Sequence, residues 1–194
     1  MIIFGLDGVL ADIDHRRHFV DEQRVHPDYY RKPCKSCNNG SCHMIDPQFH
    51  KITGKEWQPD WQAHNAACDK DKPIAATIDA LQTMERFYEV HIWSGRCESV
   101  REKSEAWLND HRIVTRALKM RPVGDDTPAH KLKEKWMDEY LNTPSFDNEK
   151  FKKQSDLRTC VKPYKVDFVF EADPQSIAMY RRRGIFVFDC SQER

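Results

Sequence analysis

The sequence has no net charge. Its 194 residues carry 31 lysines and arginines against 31 aspartates and glutamates, so no global field recruits nucleic acid or an acidic membrane, and attraction for a polyanion has to come from a local patch. It also lacks any apolar run approaching the roughly 18 residues that a membrane-spanning helix needs. The start has no basic segment followed by a long apolar one, which argues against secretion and membrane insertion and leads us to expect a cytoplasmic protein that binds no membrane. Seven cysteines are an odd number in a chain without a secretory signal, which speaks against a complete disulfide framework. No internal repeat or low-complexity tract appears.

What is present is an alternation of short apolar runs and amphipathic stretches. Met1 to Phe4 is a short apolar run that breaks into an acidic, glycine-containing turn, Gly5-Leu6-Asp7-Gly8, and reads as a buried strand delivering a carboxylate to its tip. From Asp12 to about Pro73 regular periodicity fades, and the interval carries five of the ten prolines. It is too long for an ordinary loop, so we read residues 15–73 as a small inserted cap, and 1–14 with 74–194 as the core.

Alternation resumes at Pro73. Ile74, Ile78 and Leu81 recur on one helix face, Tyr88 to Trp93 reads as a strand, and Val100, Trp107 and Leu108 line a second helix. Ile113 to Met120 is expected as a strand. Thr127-Pro128 opens a helix with Leu132, Trp136 and Tyr140 inward. Residues 142–163 are polar and lysine-rich, and read as a peripheral helix and loop. Val166 to Phe170 is a strand, Asp173-Pro174 caps a helix, Gly184 stops it, and Ile185 to Phe188 is the last strand. Such units force parallel strands with right-handed crossovers, so the expected class is α/β, a three-layer doubly wound parallel sheet.

Parallel strands put their C-terminal tips on one edge, where ligands of open α/β sheets bind. Four groups should meet there. Asp7 follows the first strand. Ser94, Gly95 and Arg96 offer a hydroxyl, a flexible amide and a guanidinium suited to phosphate oxygens. The segment from Arg121 to Lys133 can supply an ammonium near a transferring phosphoryl group. Glu171 and Asp173 form an acidic tip that could reach a metal.

In order and content these motifs resemble the haloacid-dehalogenase (HAD) superfamily of phosphohydrolases. The closer similarity is to phage and bacterial polynucleotide-kinase 3′-phosphatase domains and related deoxynucleotidases. It rests on Ser94-Gly95-Arg96, on Met120-Arg121 to Gly124-Asp125 with Lys133 downstream, on Asp173 to Arg181 followed by Gly184, and on the Trp61 to Pro73 segment, whose Ala66-Ala67-Cys68 and Asp71-Lys72-Pro73-Ile74 look like the entry to the core in phage members. The resemblance implies a magnesium-dependent phosphatase of a nucleotide or a nucleic-acid 3′ end, working in the cytoplasm of a bacterial or phage-infected cell. By position Asp7 matches the general acid/base, Ser94 with Gly95, Arg96 and Arg121 the phosphate contacts, and Lys133 the charge-neutralising lysine. Asp7, Glu171 and Asp173 match the magnesium end.

Two positions depart from the pattern. Gly5 stands where that family has its attacking aspartate, and Ala172 where close relatives commonly carry a second consecutive acid. Without the nucleophile the covalent route is closed, which costs several orders of magnitude in rate. The chain is then expected to be an inactivated phosphatase, or alternatively a non-catalytic nucleotide-binding or sequestering protein on the same fold. An interaction module docking a partner through its cap is a third reading. Aromatics of the cap, Tyr29, Tyr30, Trp57 and Trp61, are candidates for stacking on a base. Finally, Cys34, Cys37, Cys42 and His43 have the ligand types and close spacing of a zinc knuckle, with His50 or Cys68 as other fourth ligands. A structural zinc would staple a cap poor in apolar residues.

Overall fold

A computed structural model of the chain describes residues 1–21, 58–142 and 165–191; Cys34, Cys37, Cys42 and His43, like Tyr29, Tyr30 and Trp57, lie outside the described residues. The strands are β1 (Ile2–Gly5), β2 (Ala11–Asp12), β3 (Lys72–Pro73), β4 (Val90–Cys97), β5 (Ala117–Arg121), β6 (Phe168–Glu171) and β7 (Phe186–Asp189). The helices are α1 (Trp61–Ala66), α2 (Ala75–Met84), α3 (Arg101–Asp110), α4 (Ala129–Asn142) and α5 (Pro174–Arg182). Five strands form one sheet in the order β5-β4-β1-β6-β7, with every neighbouring pair parallel. This is the expected three-layer, doubly wound α/β architecture.

β1 sits in the middle because it is apolar on both faces. Side chains alternate along a strand, so Ile2 and Phe4 face one layer and Ile3 the other. Ile2 and Phe4 pack with Ile78 and Leu81 of α2 and Trp107 and Leu108 of α3. Ile3 packs with Leu132, Trp136 and Met137 of α4 and Ile177 and Tyr180 of α5. Each such fully buried side chain contributes roughly 1.5–3 kcal/mol, so β1 is the strand that both layers hold in place.

The chain steps from β1 to β4 and β5 on one side, then returns to β6 and β7 on the other. The direction of travel reverses between β1 and β6, and the crevice of such a sheet opens at that point beyond the strand tips. The small antiparallel pair β2–β3 joins Asp12 to Lys72 and so ties the exit from β1 to the start of α2.

Two boundaries differ from the sequence expectation. Ile113 does not open a strand but closes α3: its amide donates to the Leu108 carbonyl at 2.9 Å and that of Arg112 to Asn109 at 3.0 Å, with Arg112 at φ 55°. This is a Schellman ending with arginine where glycine is usual. β4 runs on through Ser94, Gly95 and Arg96 to Cys97, its register with β5 shifting between Trp93 and Cys97. The expected turn is thus an irregular end of the strand, and it sends the Arg96 side chain toward β1.

Candidate functional site

The loop after β1 sets the position of Asp7. The Leu6 carbonyl accepts from the amides of Leu10 and Ala11, both at 3.0 Å, while the Gly8 amide donates to Ala11 at 2.8 Å. Gly8 takes φ 77°, and a Cβ there would lie 2.9 Å from the Cβ of Ala172. The loop therefore needs glycine at 8, and it packs directly on Ala172 just past β6.

Two guanidiniums meet at Asp7. Arg16, on a 3-10 turn over Asp14–Phe19, donates from Nη2 to Asp7 Oδ1 at 2.8 Å, and Arg96 donates from Nε to the same oxygen at 2.7 Å. Behind them lies Asp71. Its Oδ1 accepts from Arg16 Nε at 2.7 Å and its Oδ2 from Arg16 Nη2 at 2.8 Å and Arg96 Nη2 at 2.5 Å. The side chains of Arg16, Arg96 and Asp71 are fully buried, whereas that of Asp7 is 26 % exposed. Buried arginine of this kind persists only with its charge matched and its donors filled.

Side chains around the network complete it. His64 of α1 faces Arg16 Nη1 through its ring nitrogens at 3.0 and 3.2 Å, and His15 Nε2 lies 2.9 Å from Asp71 Oδ1. Trp107 Nε1 donates to the Asp71 carbonyl at 2.8 Å and fixes its backbone. Burial pushes the Asp7 carboxyl up, but Arg96 and Arg16 together outweigh it and hold the group down at about 2. Burial and then the neighbouring Arg16 charge hold His64 down at about 4. At neutral pH the cluster therefore holds an ionised aspartate and an uncharged His64.

A second charged pair lies on the other side of β1. Lys133 of α4 donates to Glu171 Oε2 at 2.5 Å, with both side chains almost fully buried. The other oxygen, Oε1, accepts from the amides of Ala172 at 3.0 Å and Asp173 at 3.1 Å. This carboxylate leans into the space beside Gly5. A Cβ built at Gly5 would meet Glu171 Oε1 at 3.2 Å and Val9 Cγ2 at 3.0 Å.

The remaining expected residues have other engagements. Ser94 is buried, and its hydroxyl accepts the Arg96 amide at 3.1 Å. The Gly95 carbonyl accepts from Arg121 Nε at 3.0 Å, and Arg121 Nη1 donates to the carbonyls of Asp125 and Thr127, so the guanidinium clasps its own loop. Asp173 caps α5, accepting from the Ser176 amide at 2.9 Å and its hydroxyl at 2.6 Å. Asp7, Arg96, Lys133 and Glu171 thus gather at the β1 tip, with Ser94 beside them. Arg16, Asp71 and His64 were not foreseen. Arg16 and Arg17 are indistinguishable by residue type, and only the 3-10 geometry turns Arg16 inward and leaves Arg17 at the surface.

Among the described residues no group of three or more His, Cys, Asp or Glu is arranged to hold a metal ion. Nor is any helix there long and apolar enough to cross a membrane. No protein-family model matches the sequence, and a search of curated proteins gives no match. Solved structures do match. Two chains from Pnkp1/Rnl/Hen1 complexes, one described as an RNA repair complex, align over 97 % of this chain at TM-score 0.55 and 18 % and 19 % identity. This chain spans only 41 % and 44 % of their lengths. A haloacid dehalogenase-like hydrolase, SP0104 from Streptococcus pneumoniae, aligns over 97 % of this chain and 82 % of its own at TM-score 0.53 and 11 % identity. At these identities the likeness is one of fold, and the fold of this chain is the HAD-like α/β fold.

Proposed function

We propose that this chain recognises a phosphate monoester, carried by a nucleotide or a nucleic-acid 3′ end, at the C-terminal edge of its sheet. The pocket is of the phosphohydrolase type, and turnover is disabled in this chain. One observation carries the reading: two buried guanidiniums converge on one oxygen of the partly exposed Asp7 carboxylate just beyond the tip of β1. Paired guanidiniums match phosphate oxygens in both charge and donor geometry.

Turnover requires an attacking group and a proton donor. Gly5 has no side chain to attack phosphorus, and Asp7, held ionised by its arginines, has no proton to give near neutral pH. A magnesium ion would supply charge neutralisation at the phosphoryl oxygens. The carboxylates present do not fit it as they stand, since Asp7 and Glu171 are neutralised by arginine and lysine and Asp173 is committed to its cap.

Two features favour a nucleotide over a bare sugar phosphate. Trp61 is 58 % exposed on α1, and its ring centroid lies 5.6 Å from that of His64, at the outer edge of the arginine network. An exposed tryptophan beside an anion pocket is a natural platform for a base. The RNA repair complex among the structural neighbours points the same way. Residues 15–73 act in this reading as the cap over the pocket, stapled by zinc at Cys34, Cys37, Cys42 and His43; metal analysis should find about one zinc per chain.

The test is calorimetric titration with nucleoside 3′- and 5′-monophosphates and with a 3′-phosphorylated oligonucleotide, followed by a phosphate-release assay with magnesium in the buffer. Saturable binding without release is expected, and Arg96→Met should abolish the binding. Rapid phosphate release by the unsubstituted chain, or no binding of any phosphate monoester, would refute the proposal.

A further inference from the structure

The two aspartates that hold the arginines are not equivalent. Asp71 is sealed in, holds Arg16 through both of its oxygens and Arg96 through Oδ2, and has its backbone carbonyl fixed by Trp107. Asp7 stands at the mouth, partly exposed, and meets both arginines through Oδ1 alone. Arg16 Nη2 and Arg96 Nε converge on that one oxygen. Its place is the point where an incoming anion would find the most positive potential and ready-made hydrogen bonds.

We infer that Asp7 is the resident occupant of an anion seat, displaced by the phosphoryl oxygens of the ligand, and that Asp71 is the positioning residue that keeps the seat built while Asp7 is away. The inference rests on the phosphate-binding reading above and adds to it which carboxylate leaves and which stays. The physical reason lies in the pairing. Fully buried guanidiniums cannot lose all their counter-charge at once, because an unpaired buried ion is strongly destabilising. Asp71 retains enough contacts to each arginine to hold its orientation while the front oxygen is exchanged. Asp7, reached by solvent, can swing outward and be hydrated, so its departure is the cheaper of the two. A ligand must then compete with Asp7 for the same donors and enter against its charge.

The two aspartates therefore respond oppositely to the same near-isosteric change. Inorganic phosphate is titrated calorimetrically into the unsubstituted chain, Asp7→Asn and Asp71→Asn, with the melting temperature of each recorded. Asp7→Asn removes the competitor and one negative charge, and should tighten phosphate binding about tenfold, the worth of one charge-assisted hydrogen bond. Asp71→Asn loosens both guanidiniums and should weaken binding by about tenfold or more. Should Asp7→Asn fail to fold, Asp7→Ser serves the same purpose with a smaller side chain. Nitrogen-15 spectra of the unsubstituted chain give an independent readout: the Arg96 Nε–H resonance should move on phosphate addition while that of Trp107 Nε1–H stays. Phosphate binding to the unsubstituted chain that is unchanged or weaker in Asp7→Asn would overturn this inference and leave the phosphate-binding reading standing. Absence of binding in all the variants would overturn both.

Discussion

Two buried charge clusters flank the tip of β1, and they are built to opposite plans. The Lys133–Glu171 pair is closed: each side chain is at most 6 % exposed, and both carboxylate oxygens are taken, one by the ammonium and one by backbone amides. The arginine network is closed behind, at Asp71, and open in front, at Asp7. On the proposed reading, the difference separates a structural pair from a binding one. In the closed pair every hydrogen bond is internal, and it fills the space next to Gly5. In the open network one donor of each arginine ends at the partly exposed Asp7.

The largest expected effect breaks the closed pair. Lys133→Met keeps the length and apolar stem of the side chain but leaves Glu171 buried with no cation. Removing one partner of a buried pair costs roughly 3–5 kcal/mol. Urea denaturation should show that loss, and Lys133→Met combined with Glu171→Gln should recover most of it, because the uncompensated charge is gone. A loss below about 1 kcal/mol in the single variant would mean that the pair is hydrated and that the contrast drawn between the clusters is false.

His64 tests the back of the open network. Its pKa is lowered to about 4 in the fold from an ordinary value of 6.5, so the fold favours the uncharged ring. The unfolded chain binds the proton first. The stabilisation is therefore complete above pH 6.5 and is lost as pH falls toward 4, by about 3 kcal/mol in all. Asp7, held at about 2, loses its contribution only below its ordinary 3.8, so the two windows do not overlap. Stability measured by urea titration across this range should fall more steeply for the unsubstituted chain than for His64→Gln, whose amide oxygen can still accept from Arg16. Parallel curves for the two proteins would show that His64 carries no such penalty.

The sheet was legible in the sequence because its signals are local. Alternation along β1 and the helical spacing of Ile78 with Leu81 depend on residues a few positions apart. The strand tips were legible for the same reason, since Asp7 and Glu171 follow directly on apolar runs. The arginine network was not, because Arg16 and Asp71 are separated by 55 positions and meet only through the fold. Arg121 shows the converse. Its residue type suits phosphate, yet three nearby carbonyls claim its donors. Sequence position says where an arginine emerges and not which acceptor is nearest. Lys133 was expected as a charge-neutralising lysine, and in the structure the charge it faces is that of Glu171.

The smallest expected effect joins the two clusters, since Gly5 lies between them. Gly5→Asp would place a Cβ 3.0 Å from Val9 Cγ2 and 3.2 Å from Glu171 Oε1, and would set a second carboxylate beside the first. Overpacking of this kind costs about 1–3 kcal/mol. Glu171→Asp in the same chain withdraws the crowding oxygen by one methylene and should restore at least half of that loss, read as a shift in melting temperature. The same pair of variants bears on chemistry. A bound phosphate that displaces Asp7 from its arginines would sit beside the new carboxylate. An attacking carboxylate at position 5 then finds a seated phosphate monoester, whose leaving oxygen takes its proton from solvent. Phosphate release should accordingly appear in the double variant and be weaker in Gly5→Asp alone, where Glu171 obstructs the new side chain. Equal stability of the two variants would show that Glu171 already yields to a side chain at position 5, and that the closed pair is no barrier to restoring the attacking group.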